Sequence, residues 1–411
     1  MASGTVLGYA QAAQGPFLRM LWEAGVRILL MKHMIVAACV TLAGLSMDAA
    51  DAFNEAPSKY WNADELMAAP AYKPAGFPDS EADGLKAVLF DGLPVNGKKC
   101  PVFAYIGYPE GKAPAGGFPA MVQVHGGGGT AYQEYARRWM KNGYAVIALD
   151  WYNQRPACAV KDGKAQTVQL PLEGGRRQDH VTNVGNIVLA HSLLRTLPNV
   201  NPDKIGLIGI SWGSWYGAMV TAVDSRFKFM LAVYCGGINK ESEAFINGRF
   251  LHAAKVPMCW IAGSNDQNVT LAQIDAACKT TPTYANRAFV IRLPHSHVGY
   301  DFPFCFRVAG FYLKGEPPLP KLGDSTVKDG IIRAGVLEKG KGIRTCILGY
   351  TTDRDVTPWH KRVWRSQPAE LKDGVVSAKL PAGVFQCFLS AYDQDSPYNC
   401  CCGSSDFREF P

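Results

Sequence analysis

The sequence has no long run of one charge. Lys and Arg cluster no further than pairs such as Lys98-Lys99, Arg137-Arg138 and Arg176-Arg177, and the formal charge of +7 is spread along 411 residues. This is the pattern of a solvated surface and argues against a nucleic-acid footprint. There is no internal repeat and no low-complexity tract, which leaves out solenoid and fibrous architectures. The apolar run from Met34 to Leu45 falls short of the roughly 20 residues that span a bilayer, so it reads against a permanent anchor. No His lies near Cys400-Cys401-Cys402 to complete a tetrahedral metal set, and three adjacent residues cannot all face one ion. The glycine run His125-Gly126-Gly127-Gly128-Gly129 is not followed by Lys-Ser or Lys-Thr, so a phosphate-binding P-loop fails.

What is present is the composition of a folded protein, 48% hydrophobic and 19% charged. The first fifty residues read as an address label. Met31-Lys32-His33 is a short basic start, Met34 to Leu45 an apolar core, and Ala50-Asp51-Ala52 a small-x-small cleavage site. A signal peptide from about Met31 to Ala52 is therefore expected, with translation starting at Met31 and a secreted or periplasmic product. Of the 12 cysteines all but Cys39 follow that site, a number tolerable in an oxidising compartment. Disulfides within the C-terminal region, for example from the Cys400-Cys402 run to Cys387 or Cys346, are expected ahead of a metal.

Strand-like and helix-like segments then alternate, which predicts a doubly wound, mostly parallel sheet. Buried strands are expected at 120–125, 144–150, 205–210, 227–234, 256–262 and 288–293, and helices at 132–142, 186–197 and 214–223. Near residue 315 the pattern changes. Gly315-Glu316-Pro317-Pro318-Leu319-Pro320 reads as a linker, and the segments 331–337, 343–350, 375–380 and 384–392 alternate as antiparallel strands do. The expected organisation is an α/β unit over 53–320 and a small all-β, sandwich-like unit over 321–411.

Chemistry is expected at the carboxyl ends of the parallel strands. Gly209-Ile210-Ser211-Trp212-Gly213 is a G-x-S-x-G pentapeptide between a strand and a helix, the setting of a nucleophile elbow with Ser211 exposed above the sheet. The backbone N–H of Trp212, with Gly126 and Gly127 from the earlier glycine run, would form an oxyanion hole. His125 itself reads as structural. A serine hydroxyl needs a base, and this strand order delivers the partners as Ser, then Asp or Glu, then His.

Asp266 in Gly263-Ser264-Asn265-Asp266 follows a strand at its carboxyl end and is the expected acid. Asp224 reads as a turn residue and Asp275 as part of a solvated helix face. For the base, Pro294-His295-Ser296-His297 offers two histidines. His297 is preferred because its longer excursion from the strand suits a loop reaching back over the sheet, with His295 as a packed neighbour. His360 is expected at the surface. Trp151, Tyr152 and Arg155, after the strand ending at Asp150, are candidates for the substrate pocket.

On Ile205 to Gly213, the Gly263 to Val269 loop and Pro294 to His297, the region from Val88 to Leu319 resembles bacterial acetyl xylan esterases and dienelactone-hydrolase-like or prolyl-oligopeptidase-like α/β hydrolases. The resemblance implies an α/β-hydrolase fold, a Ser211, Asp266, His297 triad and cleavage of carboxylic esters. With export, it implies deacetylation of carbohydrate by a two-step acyl transfer that needs no metal and no organic cofactor. The tail with Trp359, Arg362 and Trp364 is similar to a β-domain appended to some secreted esterases. A prolyl-oligopeptidase-like serine peptidase and a non-catalytic glycan-binding protein are the alternatives. The partner expected is a small-molecule or polysaccharide ester, without nucleic acid or a stable membrane anchor.

Overall fold

A computed structural model describes residues 55–76, 84–95, 97, 100–151, 158–161, 164–167, 180–234, 248–394 and 402–411. The expected signal peptide, Tyr152, Arg155, Cys400 and Cys401 lie outside the described residues. Residues Phe53 to Pro411 form one compact unit. Among the described residues no helix is long and apolar enough to cross a membrane.

The chain opens with a short helix α1 (Ala63–Met67) and the strands β1 (Tyr72–Pro74), β2 (Leu85–Asp91) and β3 (Pro101–Gly107). Strands β4 (Phe118–Val124) and β5 (Ala145–Leu149) follow, with helix α2 (Gln133–Lys141) between them. A separate hairpin pairs β6 (Cys158–Lys161) with β7 (Lys164–Thr167). Then come α3 (His180–Thr196), β8 (Val200–Ile210), α4 (Trp212–Val223) and β9 (Met230–Val233). Strand β10 (Met258–Gly263), helix α5 (Leu271–Thr280), strand β11 (Tyr284–Val290) and helix α6 (Pro303–Lys314) complete this part.

Nine strands form one sheet in the order β1-β2-β3-β5-β4-β8-β9-β10-β11. From β5 to β11 every pairing is parallel, and only the β1, β2 and β3 side is antiparallel. This is the α/β-hydrolase arrangement, with the strand order reversing around β4 and β8. Helices cover both faces, so the parallel strands must be apolar on both sides, as Ala145-Val146-Ile147-Ala148-Leu149 is throughout. Helix α2 turns Ala136, Trp139 and Met140 inward and its basic residues outward. Helix α4 is buried along most of its length, which its apolar sequence Gly217-Ala218-Met219-Val220 permits.

Pairing becomes antiparallel at Pro320. Strands β12 (Pro320–Lys328), β13 (Ile331–Lys339), β16 (Glu370–Lys372) and β17 (Val375–Lys379) form one sheet in the order β12-β13-β17-β16. Strands β14 (Thr345–Thr351), β15 (Arg365–Pro368), β18 (Gln386–Tyr392), β19 (Cys402–Ser404) and β20 (Arg408–Glu409) form the other. Leu322, Ile332 and Val376 of the first sheet pack on Leu348, Cys387 and Leu389 of the second as a sandwich core. The intervening residues Ile347, Phe388 and Tyr392 point the other way and join the core of the α/β part. The period of two thus makes β14 and β18 a layer shared by both cores.

Three cysteines of this region, Cys346, Cys387 and Cys402, are buried free thiols, which corrects the expectation of disulfides to Cys346 or Cys387. The pairing register explains why. Cys387 lies opposite Tyr350 and Cys346 opposite Ala391, while Cys402, opposite Tyr392, packs in the other core.

Candidate active site

Strand β8 ends at Ile210 in the middle of the sheet, and the chain reverses directly into α4. Glycine is required on both sides of this turn. A Cβ on Gly209 would stand 2.1 Å from the Gly213 carbonyl oxygen, and one on Gly213 would stand 2.4 Å from that of Val124. Between them Ser211 adopts φ 54 and ψ −121, a region an L-residue occupies only when its surroundings force it. The forcing groups are visible. Ser211 N–H donates to Val233 O at 3.0 Å, and the Ser214 hydroxyl donates to Gly209 O at 2.6 Å. The result is a strand–turn–helix elbow that holds Ser211 at the carboxyl end of the sheet.

The glycine run after β4 lies against this elbow. An added Cβ on Gly126 would be 3.0 Å from Ser211 Cβ, and one on Gly127 would be 2.5 Å from Trp212 Cδ1. Backbone of this loop therefore approaches the serine as no other residue type could. His125 spans the Gly126 carbonyl through Nδ1 at 2.7 Å and the Asp150 carboxylate through Nε2 at 3.0 Å. With both nitrogens engaged and 1% exposure, it anchors the loop and is not a base for Ser211. Trp151 completes the anchor, stacking on His125 at 5.0 Å and donating its indole N–H to His125 O at 2.7 Å.

The loops carrying Asp266 and His295 leave the ends of β10 and β11. Asp266 is buried, and its Oδ1 accepts the backbone N–H groups of Asn268 at 2.7 Å and Val269 at 3.0 Å. Its Oδ2 accepts from His295 Nδ1 at 2.7 Å. A carboxylate fixed by two backbone donors assigns the proton to Nδ1 and leaves Nε2 as the imidazole's free acceptor. The Tyr234 ring, at the end of β9, supports the imidazole from 4.9 Å. Burial pushes the Tyr234 phenol well up from its ordinary value, so it stays neutral.

The structure thus brings Asp266 to His295 and not to the preferred His297. The reason is local. Strand β11 stops at Val290, and Arg292 turns the chain in the left-handed region at φ 61, so the reversal comes earlier than a strand running to residue 293 would give. His297 instead packs its ring on Tyr132 at 4.9 Å and Tyr135 at 6.0 Å while its outer edge reaches solvent. Burial, then His295 and His125, hold its imidazole below the ordinary range.

Trp151 is 2% exposed and serves the core, which corrects its placement in a substrate pocket. Asp275, expected on a solvated face, is buried against Arg287 at 2.7 Å. Asp224 forms its turn to the Arg226 N–H at 3.0 Å, but it is also buried and holds His191 at 2.7 Å. His360 is half-buried rather than superficial, and its carbonyl accepts the Asn265 side-chain amide at 2.7 Å. Tyr234, Asn265 and Trp359, beside Asp266 and His295, were not foreseen from the sequence. Only Asn265, inside the acid loop, carried any local signal. Among the described residues no group of three or more His, Cys, Asp or Glu side chains could hold a metal ion.

Residues 103–297 match the dienelactone hydrolase family. A Synechocystis sp. protein that carries the provisional name carboxymethylenebutenolidase is 24% identical over 216 residues, 50% of this chain and 83% of that one. Among solved structures, an acetyl xylan esterase from Paenibacillus sp. R4 aligns with a TM-score of 0.47 at 16% identity, over 66% of this chain and all of that one. Acetyl xylan esterase 1 from Thermoanaerobacterium sp. aligns with a TM-score of 0.38 at 14% identity, over 58% of this chain and 88% of that one. From β3 to the His295-Ser296-His297 loop, the chain contains a dienelactone hydrolase family domain.

Proposed function

We propose that this protein is a serine carboxylesterase that removes acetyl groups from carbohydrate, with Ser211 as nucleophile, His295 as base and Asp266 as the orienting acid. The observation that carries the reading is the Asp266–His295 hydrogen bond of 2.7 Å at the strand ends beyond a serine held at φ 54. Ser211 Oγ attacks the ester carbonyl as its proton passes to His295 Nε2. The tetrahedral oxyanion is met by backbone N–H groups of Trp212 and of the Gly126-Gly127 turn. The alcohol leaves with the proton from His295, and water activated by the same nitrogen releases the acid. Asp266 holds the imidazole in orientation and stabilises the imidazolium that forms. None of these steps calls for a metal or an organic cofactor.

Two sets of rings support a flat, hydroxyl-bearing alcohol portion. Trp212 lies over His180 at 5.9 Å and meets Trp215 edge-on at 5.3 Å, while Tyr132 and Tyr135 flank His297. Such faces pack against the C–H faces of sugar rings and leave hydroxyls to solvent. The test is acetate release from a panel of acetylated polysaccharides, run beside p-nitrophenyl acetate and an aminoacyl anilide. Acetate release that is lost in Ser211→Ala supports the reading. Exclusive anilide cleavage would replace it with the peptidase, and binding without turnover would make the chain a glycan-binding protein. Export with cleavage after Ala52 belongs to the same proposal, and an exported protein whose N-terminus lies upstream of Met31 would contradict it.

A further inference from the structure

The acid and base loops are tied to the C-terminal sheets by a continuous chain of hydrogen bonds. Trp359 donates its indole N–H to the backbone carbonyl of Asp266 at 2.8 Å. Asn265 donates its side-chain amide to His360 O at 2.7 Å and to Arg362 O at 2.9 Å. Ser264 hydroxyl donates to Asn265 Oδ1 at 2.7 Å and accepts the Arg292 N–H at 2.8 Å. The Arg292 guanidinium in turn donates to Trp364 O at 3.2 Å. One short segment, 359–364, therefore grips the loop carrying Asp266 and the turn leading to His295 together. The two loops also cross closely, because a Cβ on Gly263 would stand 2.0 Å from Leu293 O.

We propose that segment 359–364 is a positioning clamp for the acyl-transfer site, with Trp359 and Asn265 as its positioning residues, so that the C-terminal β region is a working part of the catalytic machinery. This rests on the reading of Ser211, Asp266 and His295 given above. The physical case is that Asp266 must aim one carboxylate oxygen at His295 while its backbone turns sharply after β10. Its side chain is fixed by Asn268 and Val269, which belong to the same loop and move with it. Among the described residues, the loop is referred to structure outside itself by its bonds to 359–364, by the Ser264 N–H donating to Val290 O at 2.9 Å, and by the Gln267 side chain bonding the His295 backbone. Misplacement of a catalytic group by about 1 Å costs up to about 10²-fold in rate, so loss of one such tether has a measurable effect. Neither Trp359 nor Asn265 needs to touch substrate for this.

The test uses the full chain and a double-mutant design. Trp359→Phe keeps a ring but removes the N–H, and Asn265→Asp keeps the shape but puts carboxylate oxygen against two carbonyls. Each is measured alone and in an Asp266→Asn background, by p-nitrophenyl acetate turnover and by the rate of Ser211 labelling with a fluorophosphonate. The clamp predicts that each single change lowers kcat about tenfold with KM within about twofold. It also predicts that Trp359→Phe adds less than about twofold to the loss already present in Asp266→Asn, because both act through one group. Should Trp359→Phe fail to fold, Asn265→Asp carries the same comparison. Unchanged kcat in both variants, or an equal loss with and without Asp266, overturns the clamp. Ser211→Ala separates the two ideas: if it keeps wild-type turnover the acyl-transfer reading falls, and if it is inactive while the clamp variants are normal only the clamp falls.

Discussion

Strands β5 and β18 are both buried from end to end, yet they are buried for different reasons. β5 lies inside a parallel sheet with helices on both faces, and its five residues are one apolar run. β18 lies between two cores, one made with the sandwich through Cys387 and Leu389 and one with the α/β part through Phe388 and Tyr392. The first kind of burial positions chemistry at strand ends. The second fastens one region to the other. The difference teaches that the C-terminal sheets are joined to the α/β part through a full side-chain layer and through buried charge. Arg287 on β11 reaches Asp275 at 2.7 Å, Asp324 at 3.1 Å and the Ser405 carbonyl at 2.9 Å.

The sharpest test of that contrast is at the strand ends. His295→Ala should lower kcat by about 10⁴-fold or more, while His297→Ala should cost less than about tenfold, with both measured on p-nitrophenyl acetate. Equal losses would restore His297 as the base. Next in size is the fastening. Arg287→Met removes the buried guanidinium, leaves Asp275 with Lys279 and the Phe407 N–H as partners, and should destabilise the protein by about 3–5 kcal/mol in urea unfolding. A loss below about 1 kcal/mol would mean that Arg287 does not fasten the two regions.

A smaller effect concerns acid. Burial holds His191 below its ordinary value, and Asp224 sits below its own because hydrogen bonds from Arg226 and His191 outweigh the burial that would raise it. Both groups bind protons more readily unfolded, so stability is full above the unfolded histidine value near 6.5 and is lost progressively as pH falls. Thermal melts from pH 7.5 to 4 should show this decline, flattened between pH 6.5 and 5 in His191→Asn. A variant with the wild-type slope would remove His191 as the cause. The smallest effect is chemical: the thiols of Cys346, Cys387 and Cys402 should react with a thiol reagent only after unfolding. Finding them oxidised in the native protein would contradict their assignment as free thiols and restore the expected C-terminal disulfides.

The elbow at Ser211 was legible because its glycines are demanded by contacts that recur whenever a strand reverses into a helix beneath a neighbouring strand. Asp266 was legible for a similar reason, as a polar loop at the end of an apolar run. The choice of His295 was not, because it turns on Arg292 taking a left-handed conformation that its side chain does not announce. Trp151 misled because an indole after a strand serves equally as a pocket wall or as the anchor of His125. Trp359 was legible only as part of the C-terminal β region, not as a contact of Asp266: its partner is a backbone carbonyl 93 residues away, and carbonyls carry no sequence signature. The segment 343–350 was legible as a strand, but not that both its faces would be covered.

The central claim is that Ser211 is the acyl-accepting atom of an Asp266–His295 pair. Intact-mass and peptide mass spectrometry after fluorophosphonate treatment tests it most directly. The account predicts a single adduct on Ser211, absent in Ser211→Ala and slowed by at least about 10³-fold in His295→Ala but not in His297→Ala. An adduct on another residue, or undiminished labelling in His295→Ala, would contradict it.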